Sequence, residues 1–385
     1  MKTQLLAAAA VTLSAASAHA VGLDRSGQRI GVLFETGNLV ELSFGFTDPH
    51  LSGTGIPAVG GAPTGNVADS FAIASFGLKY DVSDELSLAL ILDEPYGTDV
   101  LYGGDPALTV LGGTGATADS YAITALARYK FNENFSVHGG LRYQEISASV
   151  TTAGFAFNGG AGPGVQAGVN GYSGRFGSDG DFGYVIGASY EIPDIALRVS
   201  LTYNSETVHD LPTVETLRGG LVDPLNPSSV TEVTAPESVN LSFQSGVAKD
   251  TLVFGSIRYA RYSDTDVSPA GFTGVLTGNS LTDLEDGFDY EIGVGRKFND
   301  KWSGSVTIGF STVGDDNLVS PLAPTNGSRF ISVGGRYNVN DSFAVSGGIR
   351  YTALGSAFSA PGGTPVAFFD SNSAVSAGVR FTYNF

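Results

Sequence analysis

The sequence predicts an all-β protein, a transmembrane antiparallel β-barrel of fourteen strands. Three observations lead there. Runs of about ten residues alternate strictly between apolar and polar side chains, the length of a tilted membrane-spanning strand. Tight polar turns alternate with long connections rich in Gly, Asp, Thr and Pro. An export signal precedes them all. Composition agrees: charged residues make up 15% of the 385, against about 25% in soluble domains, and Gly accounts for 53. With 38 acidic against 20 basic residues the net charge is -18, which repels phosphate backbones and excludes nucleic acid as a partner.

In chain order, residues 1–20 read as a signal peptide, with Lys2 as the charged start, Leu5 to Leu13 as the apolar stretch and Ala18-His19-Ala20 as the cleavage site, so the mature chain should begin at Val21. That stretch is too short to span a bilayer, and no later window approaches 18 consecutive apolar residues. The lack of Cys fits an exported chain. Six short polar turns follow, at 81–85, 132–134, 192–194, 247–250, 298–300 and 338–341. Seven long connections alternate with them, around 47–69, 95–118, 148–180, 207–235, 264–285, 313–327 and 355–372. This alternation places long loops such as those holding Gly159 and Asp266 outside the cell, and Asp84, Asn134 and Asp300 in the periplasm.

The last strand shows the alternation most plainly. Val375, Ala377, Val379, Phe381, Tyr383 and Phe385 share one face, and Ser376, Gly378, Arg380, Thr382 and Asn384 share the other. An Arg-Tyr pair recurs at Arg128, Arg142, Arg258, Arg336 and Arg350, each followed by Tyr. Adjacent strand residues point to opposite faces, so each pair sends a ring to the lipid interface and a cation to the lumen. An Arg on the lipid face would cost roughly 2–4 kcal/mol at mid-membrane. A soluble β-sandwich would also use alternating strands, but would not end on an apolar face at Phe385 or build belts of rings at two interfaces.

The segments EIPDIALRVSLTYNSETVHDLP, LILDEPYGTDV, TAPESVNLSFQ, DGFDYEIGVGRKFNDKWSGSVTIGF and SPLAPTNGSRFISVGGRYNVNDSFAVSGGIRY resemble, in the same order, the FadL-type outer-membrane transporters of long-chain fatty acids and other hydrophobic compounds. The resemblance covers most of the chain from Leu39 onward and implies fourteen strands at 39–385, an N-terminal hatch that plugs the barrel, a greasy tunnel and a kinked third strand that opens the wall sideways. The family's Asn-Pro-Ala hatch motif is absent, which leaves 21–38 as a short plug segment. It further implies a bacterial outer-membrane location in contact with lipid and lipopolysaccharide, insertion by the barrel-assembly machinery, and a monomer.

Candidate site residues follow from position. Phe71, Ile73 and Phe254 are apolar at lumen-facing positions, where they can line a tunnel or pack against a plug. Arg142, Arg258 and Arg350 face the lumen and can meet a carboxylate, or simply pair with the protein's own acids. Pro95 closes the third strand where it cannot donate a ladder hydrogen bond; by the resemblance, Asp93 to Gly97 mark the lateral opening, and an ordinary strand end leading into a loop explains the same residues. His50, His138 and His209 stand in no recognisable pairing with Ser or Asp, so no enzyme is expected. Acidic stretches at 179–182 and 314–317 lack the spacing of a calcium loop and read as solvated charge; no metal or cofactor is expected. The function expected is passive uptake of hydrophobic compounds, long-chain fatty acids ahead of aromatic hydrocarbons, with lateral release into the bilayer and a general porin, adhesin or phage receptor as the alternative.

Overall fold

The computed structural model describes residues 23–159, 168–282, 284–314 and 316–385; the signal peptide expected at 1–20 lies outside them. Fourteen barrel strands are present. They are β1 (Leu39–His50), β2 (Phe71–Asp81), β3 in two pieces (Leu86–Asp93 and Gly97–Leu101), β4 (Gly115–Lys130), β5 (Phe135–Thr152), β6 (Tyr172–Ile192) and β7 in two pieces (Leu197–Asn204 and Thr207–Leu217). There follow β8, also in two pieces (Ser229–Ala235 and Ser238–Ala248), β9 (Thr251–Ala260), β10 (Gly287–Lys297), β11 (Trp302–Ser311), β12 (Ser328–Asn338), β13 (Phe343–Leu354) and β14 (Ser373–Asn384). Each pairs antiparallel with the next, and β14 pairs with β1 from Leu39 opposite Asn384 to His50 opposite Ser373, so the sheet closes. Closure removes both free edges, so the ladder satisfies most spanning backbone groups without water.

Side-chain direction follows the alternation read from the sequence. On β14 Val375, Phe381 and Tyr383 are exposed while Ser376 and Thr382 are buried; on β1 Leu42, Phe44 and Phe46 are exposed while Ser43 and Thr47 are buried. An exposed apolar row facing out and a buried polar row facing in is the inverse of a soluble sandwich, and it requires lipid outside. Arg128, Arg142, Arg258 and Arg350 are all buried, on the lumen side. Their Tyr neighbours join rings on the outer face: Tyr143 lies 5.2 Å from Phe182, Tyr129 5.3 Å from Phe131 and Tyr259 5.0 Å from Phe288, centroid to centroid. Among the described residues no helix is long and apolar enough to cross a membrane.

The six short turns stand where the sequence places them, but three of the long connections are much shorter than expected. β3 and β4 reach into 95–118, β5 and β6 take up the ends of 148–180, and β7 and β8 those of 207–235. Their Gly, Asp, Thr and Pro content suggests loop, yet Thr207–Leu217 alternates buried and exposed residue by residue, as a strand does. The acidic stretch at 179–182 accordingly lies within β6 rather than in a loop. Of the stretch at 314–317, Asp315 lies outside the described residues.

The outer connections fold together. Ser52–Gly55, Pro63–Asn66, Leu318–Val319, Ala357–Ser359 and Ala367–Phe369 form a second, small sheet, and beneath it Tyr102, Leu111, Tyr172, Leu211, Phe272 and Phe369 are almost fully buried in one apolar cluster. Glu215 is the polar anchor of this cap. Its carboxylate accepts from the Tyr172 hydroxyl at 2.8 Å and from the Gly271 and Phe272 N–H groups at 2.7 Å each, at the start of the short π-helix Ala270–Thr277. The orientation is testable by single Cys substitution in this Cys-free chain: a membrane-impermeant maleimide on intact cells should label Asp266→Cys and leave Asn134→Cys and Asp300→Cys unlabelled. The reverse pattern would invert the topology.

Candidate functional site

Residues 23–38 run through the barrel interior. At the periplasmic end Lys79 Nζ donates to the Gly37 carbonyl at 3.0 Å, and the Asn38 side chain accepts from the Asp81 N–H at 2.7 Å. One turn of 3-10 helix, Gly31–Phe34, buries Val32 and Leu33. The Phe34 ring is held between two guanidinium groups, with Arg128 and Arg198 each 4.7 Å from its centroid, and it meets the His138 ring edge-on at 5.5 Å. Higher up, Arg29 pairs with Glu291 of β10 at 3.0 Å. Asp24 pairs with Arg258 of β9 at 2.6 Å, and both are buried. The guanidinium of Arg258 also donates to Ser238, Asn240 and Gln28. The segment thus touches β2, β4, β5, β7, β8, β9 and β10.

Its first residues meet an interruption in the wall. β2 and β3 are in register from Asp81 opposite Ser87 to Phe76 opposite Leu92. Past that seam the Ala74 N–H reaches Glu94 Oε1 of β3 at 3.3 Å, and the residues just before β2 meet β3 at Ala68 opposite Val100, with N–H bonds from Leu101 to Val67 at 2.7 Å and from Asp69 to Asp99 at 3.3 Å. Between these seams Phe71–Ser75 is paired only with β1. The cause lies in β3, which uses Glu94, Pro95 and Tyr96 where β4 uses Ser120 and Tyr121, a β-bulge that bends the strand. Pro95 has no N–H to give, and the Ser120 hydroxyl replaces the ladder by bonding both the N–H and the carbonyl of Tyr96, at 2.8 and 2.7 Å. The result is a slit bounded at both ends.

The N-terminal segment lies in that slit. The Arg25 N–H donates to the Pro95 carbonyl at 2.8 Å, the Gly97 N–H donates to the Leu23 carbonyl at 2.8 Å, and Asp24 and Tyr96 form an antiparallel bridge. The main-chain groups that the bulge frees are therefore satisfied by the segment, as an added strand would satisfy a sheet edge. The Arg25 guanidinium stacks over Phe71 at 4.7 Å and sits 3.8 Å from both Glu94 and Asp119. A Cβ at Gly97 would stand 2.2 Å from Arg25 Cζ, so only Gly leaves room for that cation.

Most of the residues singled out in the sequence converge here. Phe71 and Ile73 line the β2 side of the slit, and Asp93, Pro95 and Gly97 form its β3 side. Asp93 is buried and accepts from the Ser26 hydroxyl at 2.5 Å. Arg142 donates to Thr124 at 2.9 Å, and Asp93 is the opposite charge that acts on it most strongly. Arg258 belongs to the same region through Asp24. Phe254 and Arg350 do not. The Phe254 ring occupies the space that a Cβ at Gly293 would need, at 2.5 Å, and packs against the β10 wall. Arg350 lies over Phe330 at 3.9 Å and is drawn by Glu291. Sequence reasoning missed Asp24, Arg25 and Phe34, whose stretch has no period to expose a face, and Ser120, one hydroxyl among many on the lumen side.

A family model described as outer membrane protein transport protein (OMPP1/FadL/TodX) matches residues 13–385. No protein of curated function matches in sequence. Among solved structures the chain is similar to a FadL homologue of Pseudomonas aeruginosa, at a TM-score of 0.71 and 14% identity over 92% of each chain. It is likewise similar to the Pseudomonas putida toluene transporter TodX, at 0.61 and 12% identity over 97% of each chain. A third is the monoaromatic hydrocarbon channel CymD, at 0.56 and 11% identity over 92% of this chain and 90% of that one. At these identities the likeness speaks to the fold.

Proposed function

Because the chain belongs to the OMPP1/FadL/TodX family of outer-membrane transport proteins, we propose that it admits hydrophobic compounds and releases them sideways into the bilayer between β2 and β3. The observation that carries this reading is the slit, bounded above and below and occupied by residues 23–26. An apolar solute gains nothing from leaving into periplasmic water, which costs roughly 0.8 kcal/mol per CH₂, whereas the bilayer costs nothing comparable. Residues 23–38 are the plug, and its removal from the slit is the opening step.

The substrate is an uncharged hydrocarbon rather than a fatty-acid carboxylate. Five inward cations are ion-paired to the protein's own acids: Arg25 to Glu94 and Asp119, Arg29 to Glu291, Arg128 to Glu191, Arg258 to Asp24 and Arg380 to Glu41. Asp69 and Asp99 add further negative charge near Arg25. A carboxylate arriving at the slit meets acids first, and a neutral ring meets Phe71 and Ile73. Two solved neighbours, a toluene transporter and a monoaromatic hydrocarbon channel, carry compounds of this chemistry, which supports the choice. Cells of a strain without such a channel should accumulate radiolabelled toluene faster when this chain is expressed, and oleate no faster. Oleate accumulation to the same degree would return the substrate to fatty acids. No gain for either compound would leave the porin or receptor alternatives.

A further inference from the structure

The wall is interrupted a second time, between β6 and β7. These strands are in register from Leu197 opposite Ile192 to Asn204 opposite Val185, and again from Thr213 opposite Phe176 to Leu217 opposite Tyr172. Between the two seams each strand keeps its other partner except at residues 177–178 and 205–206. Thr207–Thr213 pairs with β8, and Asp179–Gly183 pairs with β5. The parting is therefore confined to one pair of strands, and it is closed at both ends like the first slit.

Past one backbone bond at its lower end, from the Ser205 N–H to the Tyr184 carbonyl at 2.9 Å, what spans it is side chain rather than ladder. Asp181 Oδ2 accepts from the Val208 N–H at 3.0 Å, Asp179 Oδ2 from the Asp210 N–H at 3.0 Å, and the Ser205 hydroxyl oxygen from the Tyr184 N–H at 2.8 Å. His209 Nδ1 lies 3.1 Å from the Asp179 carbonyl. Alternation along β7 turns the N–H groups of 208 and 210 toward β6, and the next position in that row is Pro212, which has none. Proline inside a sheet is confined to places where no ladder bond is required, so the parting is written into the chain as it is at Pro95. The two slits also lie on one row of the sheet: Asp93 is opposite Ala122, Ala122 opposite Gln144, and Gln144 opposite Asp181.

We propose that the β6–β7 slit is a second lateral portal, through which uncharged hydrophobic compounds enter the lumen from the lipid side. The loop cap packs an apolar core across the outward end, so a route through the wall spares that core from opening. The outer lip of the slit offers apolar groups to an arriving ring: Phe182 stands exposed beside Tyr143, Tyr184 lies 5.8 Å from Tyr203, and Val208 is exposed. Behind it, Thr207, His209 and Leu211 face inward and are buried. Separate side-chain stitches can let go one at a time, which a continuous ladder cannot do.

The proposal rests on the transport reading, and the test separates the two. A Cβ at Gly183 would stand 2.7 Å from Ser205 Oγ, so Gly183→Cys with Ser205→Cys places two thiols within reach of a disulfide across the lower end of the slit, in a chain with no other Cys. Toluene uptake by cells carrying the oxidised pair should fall by roughly fivefold or more and return on reduction, as expected when a gating motion is blocked. Equal uptake by the oxidised and reduced pair, with the disulfide confirmed by mass, would overturn the portal while wild-type uptake still stood. No toluene uptake by the wild type would overturn the transport reading and the portal with it. If the Cys pair fails to assemble, Asp179→Ala with Asp181→Ala loosens the slit instead. Faster uptake with normal heat-modifiable gel mobility supports the portal, and unchanged uptake removes it.

Discussion

Asp24→Ala should turn a poorly conducting barrel into a leaky one. Asp24 and Arg258 are both almost fully buried and meet at 2.6 Å. Removing one partner leaves a charge buried and unpaired, at a cost of about 3–5 kcal/mol. Only the docked plug supplies that partner, so the cost falls on docking and leaves the barrel, with its closed ladder, intact. In planar bilayers the wild type should conduct poorly and Asp24→Ala severalfold better, with trypsin gaining access to Arg25 and Arg29. The double replacement Asp24→Leu with Arg258→Met removes both charges together and should restore low conductance. A folded Asp24→Ala barrel that conducts no better than the wild type would mean that the ion pair does not hold the plug.

Gly97→Leu should abolish most hydrocarbon uptake without unfolding the protein. The new side chain begins where the Arg25 guanidinium now sits, so it expels the cation from its place over Phe71 and fills the slit with an immovable group. Pro95→Ala acts on the same seam by another route. The Gly97 N–H points away from β4, and the N–H restored at position 95 points the same way, toward the side where β2 has unpaired backbone. That gives the ladder a chance to close. Toluene uptake should drop severalfold in each variant while heat-modifiable gel mobility stays normal. Full uptake by both well-folded variants would rule out release through this slit and leave the barrel untouched.

The wall was legible in the sequence because its two faces meet different solvents. Val375 to Tyr383 against Ser376 to Thr382 needs no further information to be sorted, and the cost of Arg in lipid sends Arg142, Arg258 and Arg350 inward. What these cations do once inside was not legible. Arg258 meets Asp24 across 234 positions of sequence, and Arg29 meets Glu291 across 262. No local pattern records such pairings. The outward ends of β5 to β8 were hidden for another reason: above the rings of Tyr143, Phe182 and Tyr184 a strand keeps its pairing but loses the need for an apolar face, so its composition becomes that of a loop. Pro95 was legible because it stands at the end of an apolar run, whereas Pro212 lies in polar surroundings that already suggest a turn.

The pairing of β14 with β1 has a consequence for assembly. It joins Leu39 to Asn384, so this seam needs the first and the last barrel strand together. Closing so long a loop is entropically modest, since the cost grows only with the logarithm of length, but it must wait until the whole chain has been made. The plug directly precedes β1, and it is held in the lumen by residues from β2 to β10. If it is inside before the two ends meet, the closing seam encloses it; afterwards it can enter only end-on through a finished ring. Assembly in this protein resembles shutting a clasp around its own key.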